Sequence, residues 1–196
     1  MTKARKIIMI IVAVFATVAI IGTIGVLIWL NYSGLWGLNS EASILTEKSD
    51  QQGVHRAFAI QNYGTNKNIR PRGANTADET SIILYPHHEW KCLTWRFIWI
   101  EGNTYQLENL YTEKTLTPSS APISGVSLWQ QPLNENNPLQ HWELILQDGN
   151  KYLIRLKDTD LYITLSSSSN DSAIILKPLE NSDNQLWRLF EQYPRH

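Results

Sequence analysis

Cysteine is almost absent from this 196-residue chain, which contains Cys92 and no other. A single thiol cannot build an intramolecular disulfide framework, so a domain outside the cytoplasm would depend on its core for stability. Neither sign of charge dominates either, because 17 Lys and Arg are balanced by 18 Asp and Glu. The composition therefore excludes a disulfide-stapled scaffold and offers no basic face for nucleic acid.

Catalytic motifs are also lacking, since the sequence contains no HExxH, CxxC or GxSxG. The adjacent pair His87 and His88 would face opposite ways on a strand and would not form one metal-binding face. Acidic residues are scattered and do not suggest the paired carboxylates that glycoside hydrolysis needs. We therefore predict a binding module rather than an enzyme, with no catalytic residue, no cofactor and no metal ion.

One long apolar run is present near the N-terminus, where residues 7–30 carry no charge and follow a basic flank at residues 1–6. At 1.5 Å per residue the run would span roughly 36 Å, enough to cross a bilayer. Cleaved signal peptides have shorter apolar regions, so the run favours a signal anchor, a single transmembrane α-helix. The basic flank should stay in the cytoplasm, which places the rest of the chain in the periplasm, a lumen or the extracellular space. Residues 31–55 are polar and are predicted to form a linker.

A pattern repeats three times after residue 55. It consists of a proline followed nine or ten residues later by a tryptophan, with the prolines 46 residues apart: Pro86 and Trp95, Pro132 and Trp142, and Pro178 and Trp187. Each copy also holds four short alternating segments separated by turns, typical of β-strands, and no helical periodicity follows residue 40. We predict an all-β fold, a β-trefoil at residues 56–192 with repeats at 57–98, 104–145 and 151–190, and a tail at 193–196.

Two copies contain the tripeptide Gln-X-Trp, at residues 140–142 and 185–187, and the first copy has Leu93 at the glutamine position. Over residues 56–192 the sequence resembles the ricin-type (QxW) β-trefoil lectin family. The resemblance implies that the three repeat tryptophans pack in the barrel core. It also implies that Gln140 and Gln185 bond the backbone rather than a ligand, because buried polar groups need partners.

The resemblance further implies one shallow sugar site per copy, built from an early Asp, an aromatic residue before the proline and an amide near QxW. In this chain the early position is Arg70, Thr117 or Thr164, and the stacking position is Tyr85, Gln131 or Lys177. No copy keeps the full set. The candidate sugar-binding residues are Asn75, Asp78 and Tyr85 in copy one, Gln131 in copy two, and Thr164, Asn184 and Gln185 in copy three.

Two tryptophans suggest a different function. Trp90 lies in a loop beside His87 and His88, and Trp129 should point the same way as Gln131 because alternate residues of a strand share a face. Aromatic residues are favoured at protein interfaces, so Trp90 and Trp129 are candidates for docking a protein partner. In a purely structural alternative, Trp129 and Tyr85 cover the barrel ends.

The sequence therefore carries two hypotheses. The first is a membrane-anchored, lectin-like module that recognises a glycan or glycoconjugate outside the cytoplasm. In the second, the sugar sites have decayed and the trefoil docks a membrane protein, similar to the accessory binding subunits of cytolethal distending toxins. A single shallow site binds weakly, so the first hypothesis requires avidity from clustered copies.

Overall fold

The fold is given by a computed structural model, which describes residues 57–196. The predicted basic flank, signal anchor and linker lie outside the described residues. Within residues 57–196 no helix has the length and apolar character needed to cross a membrane. The strands, numbered along the chain, are β1 Ala57–Asn62, β2 Lys67–Pro71, β3 Ile82–Pro86, β4 Trp95–Glu101, β5 Thr104–Asn109, β6 Lys114–Pro118, β7 Leu128–Pro132, β8 Trp142–Leu146, β9 Lys151–Leu156, β10 Tyr162–Leu165, β11 Ile174–Lys177 and β12 Trp187–Glu191.

The first and last strands of the copies form a closed barrel. Antiparallel pairing runs from β1 to β4, β5, β8, β9 and β12 and returns from β12 to β1. Closure leaves no barrel edge for another chain to pair with. The second and third strands of each copy form a hairpin, β2–β3, β6–β7 and β10–β11. This arrangement confirms the predicted all-β trefoil.

The three hairpins are joined to one another by isolated β-bridges. Each bridge links two copies, so the hairpins form a triangle around the pseudo-threefold axis: Ser81 to Trp129, Ile83 to Ala173, and Ser127 to Ile175. Four short 3-10 turns complete the fold, at Arg72–Ala74, Lys91–Leu93, Pro138–Gln140 and Asp183–Gln185. The last three directly precede the closing strand of their copies.

The three repeat tryptophans lie in the core with no exposed surface. In each copy the indole nitrogen donates to the main-chain oxygen in the middle of the second strand: Trp95 to Ile69 at 3.1 Å, Trp142 to Leu116 at 3.3 Å and Trp187 to Ile163 at 3.1 Å. A buried indole N–H needs an acceptor, and this bond supplies it. The repeated tryptophan thus fixes each hairpin to its closing strand.

Two buried asparagines connect neighbouring copies. At the end of β5, Asn109 donates to Cys92 O at 3.0 Å, in the turn of copy one. At the end of β1, Asn62 donates to Asp183 O at 2.7 Å, in the turn of copy three. Leu156 ends β9 at the equivalent place, and its side chain has no group that can form this hydrogen bond. The side-chain clamp therefore forms at two of the three junctions.

Candidate functional site

A pocket of about 590 Å³ lies in copy two, at the outer end of the β6–β7 hairpin. Its lining comes from the two hairpin strands and from the loop that leads to the closing strand: Thr117, Pro118, Trp129, Gln131, Pro132, Leu133, Asn134, Asn137 and Gln140. None of these side chains is ionisable. A neutral ligand with both apolar and hydroxyl or amide surface matches such a lining.

Strand alternation aims Trp129 and Gln131 into this pocket. Between them Gln130 is fully buried and donates to Asn75 O at 2.9 Å and Ala77 O at 2.6 Å. The bonds of Gln130 fix the strand, and its neighbours therefore face the opposite side. Trp129 is partly exposed, while its indole nitrogen is buried with no hydrogen-bond partner among the described residues. The exposed part of the ring is therefore carbon surface.

The polar rim of the pocket combines fixed and free groups. Gln140 is held by internal bonds, because it donates to Pro132 O at 2.9 Å and accepts from the Asn134 amide at 2.8 Å and from Gln106 Nε2 at 3.3 Å. Asn137 accepts from the Leu139 amide through Oδ1 at 3.0 Å, which leaves its amide nitrogen available. Gln140 thus shapes the loop through main-chain bonds, while Asn137 and Gln131 offer polar groups to a ligand.

In copy three the equivalent groups bond each other. Gln185 donates to Thr164 Oγ1 at 3.0 Å and to Pro178 O at 2.8 Å. Lys177, at the stacking position, pairs with Glu180 at 2.8 Å. Asn184 lies exposed on the turn Asp183–Gln185. The structure therefore brings Thr164 and Gln185 together but commits both to internal bonds.

The candidate residues of copy one contact different partners. Asp78 pairs with Lys114 of copy two at 2.5 Å. Asn75 accepts from Gln130 through its main-chain oxygen. Tyr85 makes neither a hydrogen bond nor an ion pair with Asn75 or Asp78, and instead lies against Arg70, whose guanidinium carbon is 3.4 Å from its ring centroid. The three candidates therefore contact different residues, and their shared role in sugar binding stays a prediction.

Trp90 and Trp129 occupy different surroundings. Trp90 is 40% exposed and stacks on His88, with ring centroids 4.2 Å apart and an interplanar angle of 13°. Tyr85 lies 6.4 Å from Trp90. Trp129 lines the pocket of copy two. The two docking candidates therefore have different neighbours, Trp90 in a loop of copy one and Trp129 in the pocket of copy two.

The pKa shifts in the described chain lie away from the pocket. A hydrogen bond from Lys157 lowers the pKa of the Glu101 carboxyl, and the same bond raises the pKa of Lys157. Glu143 raises the pKa of Arg155 through a hydrogen bond of 2.6 Å. Within residues 57–196 no group of three or more His, Cys, Asp or Glu is placed to hold a metal ion.

Sequence reasoning missed Thr117 and Asn137 as pocket residues and assigned Trp129 to protein docking. Thr117 was noted only because it stands where an Asp was expected. The alternation of Trp129 with Gln131 was the available signal, since it placed an aromatic ring two residues before the stacking position. Asn137 had no signal in the repeat pattern, because it lies in a loop whose length differs between copies.

Residues 91–177 match the family described as ricin-type β-trefoil lectin domain-like. The matched span runs from the turn before β4 to the end of β11, and it includes the whole of copy two. No curated protein matches the chain.

Solved structures with the same fold include lectins and a designed protein. The designed threefold-symmetric ThreeFoil is 20% identical with a TM-score of 0.66, and the alignment covers 68% of this chain and 97% of ThreeFoil. The Rhizoctonia solani agglutinin is 19% identical with a TM-score of 0.64, covering 71% and 96%. The ricin B-like lectin of Macrolepiota procera, solved with lactose, is 21% identical with a TM-score of 0.59, covering 71% and 98%. Together with the family match, these structures support a ricin-type β-trefoil fold for the described domain.

Proposed function

We propose that this trefoil is a carbohydrate-binding module whose working site is the pocket of copy two. The observation that carries the proposal is the pocket's lining, in which a partly exposed Trp129 ring lies beside Gln131 and Asn137 with no ionisable group. Sugar rings present apolar C–H faces that pack on aromatic carbon, and their hydroxyls pair with amides and hydroxyls. An uncharged saccharide supplies both kinds of surface.

The ricin-type fold supports the same proposal. The Macrolepiota procera lectin was solved with lactose, and its trefoil is similar to this one. Here the aromatic surface is provided by Trp129, two residues before Gln131, which stands at the stacking position. Both lie on one face of β7, so the ring can serve a ligand in the same pocket. The site is thus a rearranged version of the one that the family resemblance implies.

The location of the module is part of the proposal. Residues 7–30 would anchor the chain as a single transmembrane helix, with residues 1–6 in the cytoplasm and the trefoil outside it. Anchored copies gather in two dimensions, and a shallow site then gains avidity from multivalent glycans. A non-enzymatic role stays a prediction of the sequence.

The test is binding of the full chain, kept in a mild detergent, to a broad glycan array. Trp129→Ala should weaken binding to the preferred neutral glycan by roughly tenfold or more, about 1.4 kcal/mol. Trp99→Ala is the matched control, because Trp99 is 51% exposed on β4 and outside the pocket. Gln131→Ala should also weaken binding, whereas Tyr85→Ala should not.

Two results would contradict the proposal. A folded chain that binds no glycan on the array would remove its basis. Equal binding by the Trp129→Ala and Trp99→Ala variants would show that the sugar site is not the pocket of copy two. Thermal melting of each variant shows whether the fold is intact when binding is compared.

A further inference from the structure

Arg70 is a buried cation without a counter-ion. It lies on β2 of copy one and is 9% exposed. No carboxylate among residues 57–196 pairs with its guanidinium, and its Nε is buried without an acceptor. The one side-chain hydrogen bond runs from Nη1 to Cys92 Sγ at 4.0 Å, and sulfur is a weak acceptor. A buried charge is strongly unfavourable unless it is paired, so a partner from outside the domain is expected.

Arg70 covers one face of the Tyr85 ring. The guanidinium carbon is 3.4 Å from the centroid of the Tyr85 ring, which is within the range of a cation–π contact. A guanidinium donates from its edge, in a planar fork that matches a carboxylate or a sulfate.

An aromatic pair lies beside Tyr85, in a loop that also carries His87, Glu89 and Lys91. His88 and Trp90 stack on each other and lie 6.2 and 6.4 Å from Tyr85. His87 contacts Asn68 at 3.3 Å on the other side of the same strand end. Glu89 is the one acidic residue of the loop at 87–91, and it is exposed. The aromatic pair offers apolar surface to a ring, while the buried charge selects an anion.

We infer that copy one holds a second binding site, for the carboxylate or sulfate of an acidic saccharide. Arg70 binds the acidic group, and the His88–Trp90 pair contacts the sugar ring. The charge preference follows from Arg70 alone and is independent of the pocket of copy two. That the anion belongs to a saccharide rests on the proposed function.

The experiment is calorimetric titration of the full chain in detergent with D-glucuronic acid and, separately, with D-glucose as its neutral match. The wild-type chain should prefer glucuronic acid by roughly tenfold or more. Arg70→Met keeps the length and the apolar contact with Tyr85 but removes the charge, and it should abolish this preference. Lys157→Met removes an equal charge from copy three and should leave it intact.

A second readout is thermal stability. Glucuronic acid should raise the melting temperature of the wild-type chain, since a ligand that binds only the folded state stabilises it, and should not raise that of Arg70→Met. If Arg70→Met does not fold, Arg70→Lys serves in its place, because it keeps the charge and loses the planar fork. The lysine variant should bind glucuronic acid more weakly than the wild type.

The outcomes separate this inference from the proposed function. A preference for glucuronic acid that persists in Arg70→Met, or that the wild type lacks, would overturn the second site. Equal binding of glucuronic acid and inorganic sulfate would refute the saccharide while keeping the anion site. Loss of neutral-glycan binding in Trp129→Ala, with the glucuronic acid preference unchanged, would support both sites at once.

Discussion

Asn109 gives the sharpest test of how the copies are held together. It is fully buried, and its side chain bonds four main-chain groups. It donates to Cys92 O at 3.0 Å and Thr94 O at 3.4 Å, and it accepts from the amides of Tyr111 at 3.1 Å and Thr112 at 3.3 Å. Replacing Asn109 with leucine removes all four bonds while keeping the number and branching of the side-chain heavy atoms.

The loss of stability in Asn109→Leu follows from the main-chain groups that no longer have a hydrogen-bond partner. All four groups lose the Asn109 side chain, but the Thr94 carbonyl keeps a bond from the Leu110 amide, so three groups are left without a partner. An unsatisfied buried group costs about 1–3 kcal/mol. Tyr111 is half exposed, and its amide can turn to water. The buried leucine offsets part of this cost, so we expect the free energy of unfolding to fall by about 2–5 kcal/mol and the melting temperature by about 6–15 °C.

The measurement is urea unfolding of the full chain in detergent, followed by tryptophan fluorescence. Asn136→Leu is the matched control, because Asn136 is exposed and its side chain makes no hydrogen bond in the described structure. It should change stability by less than about 0.5 kcal/mol. Leu156 shows that leucine fits the equivalent position of copy three. A loss for Asn109→Leu no larger than that of the control would refute the reasoning.

Three further predictions concern single contacts. Trp142→Phe removes the indole bond to Leu116 O and leaves a small cavity, so it should lower the free energy of unfolding by about 2–3 kcal/mol in the same urea assay. The bond from Lys157 lowers the pKa of Glu101. Its contribution to folding stability is therefore present above the unfolded carboxyl pKa and is lost as pH falls through the lowered folded pKa. Melting temperatures of Glu101→Gln and the wild type, measured at low salt, should differ at neutral pH and converge in acid. Gly125 has a φ of 90°, so Gly125→Ala should cost about 1 kcal/mol by thermal melting although nothing crowds its side.

The fold could be predicted from the sequence because its signals are local and repeated three times. A proline and a tryptophan at a fixed distance mark each closing strand, and alternation marks the others. The strands found at residues 57–191 number four in each copy, as the four alternating segments of each repeat predicted. Repetition also helps where one copy has a weak strand pattern, because the equivalent segments of the other two copies support the same prediction.

The candidate site could not be predicted to the same extent, because it depends on side chains that are far apart in sequence. Asp78 was assigned to Tyr85 within copy one, yet it pairs with Lys114 of the next copy. Arg70 stacks on Tyr85, and the sequence shows Arg70 only as a missing acid. Gln185 bonds Thr164 in copy three, whereas Thr117 has no such bond to Gln140 in copy two. Such differences between equivalent positions arise from loop length and from neighbouring copies.

The closure of the barrel has a consequence for synthesis. Strand β1 completes its pairing only with β12, and the register joins Phe58 to Glu191 and Asn62 to Trp187. At about 5–20 residues per second, a ribosome needs roughly 10 s to make the chain between these two strands. During that time β1 presents an open edge to which any extended segment of another nascent chain can add. The yield of correctly folded trefoil therefore depends on what shields this edge until the last copy has emerged.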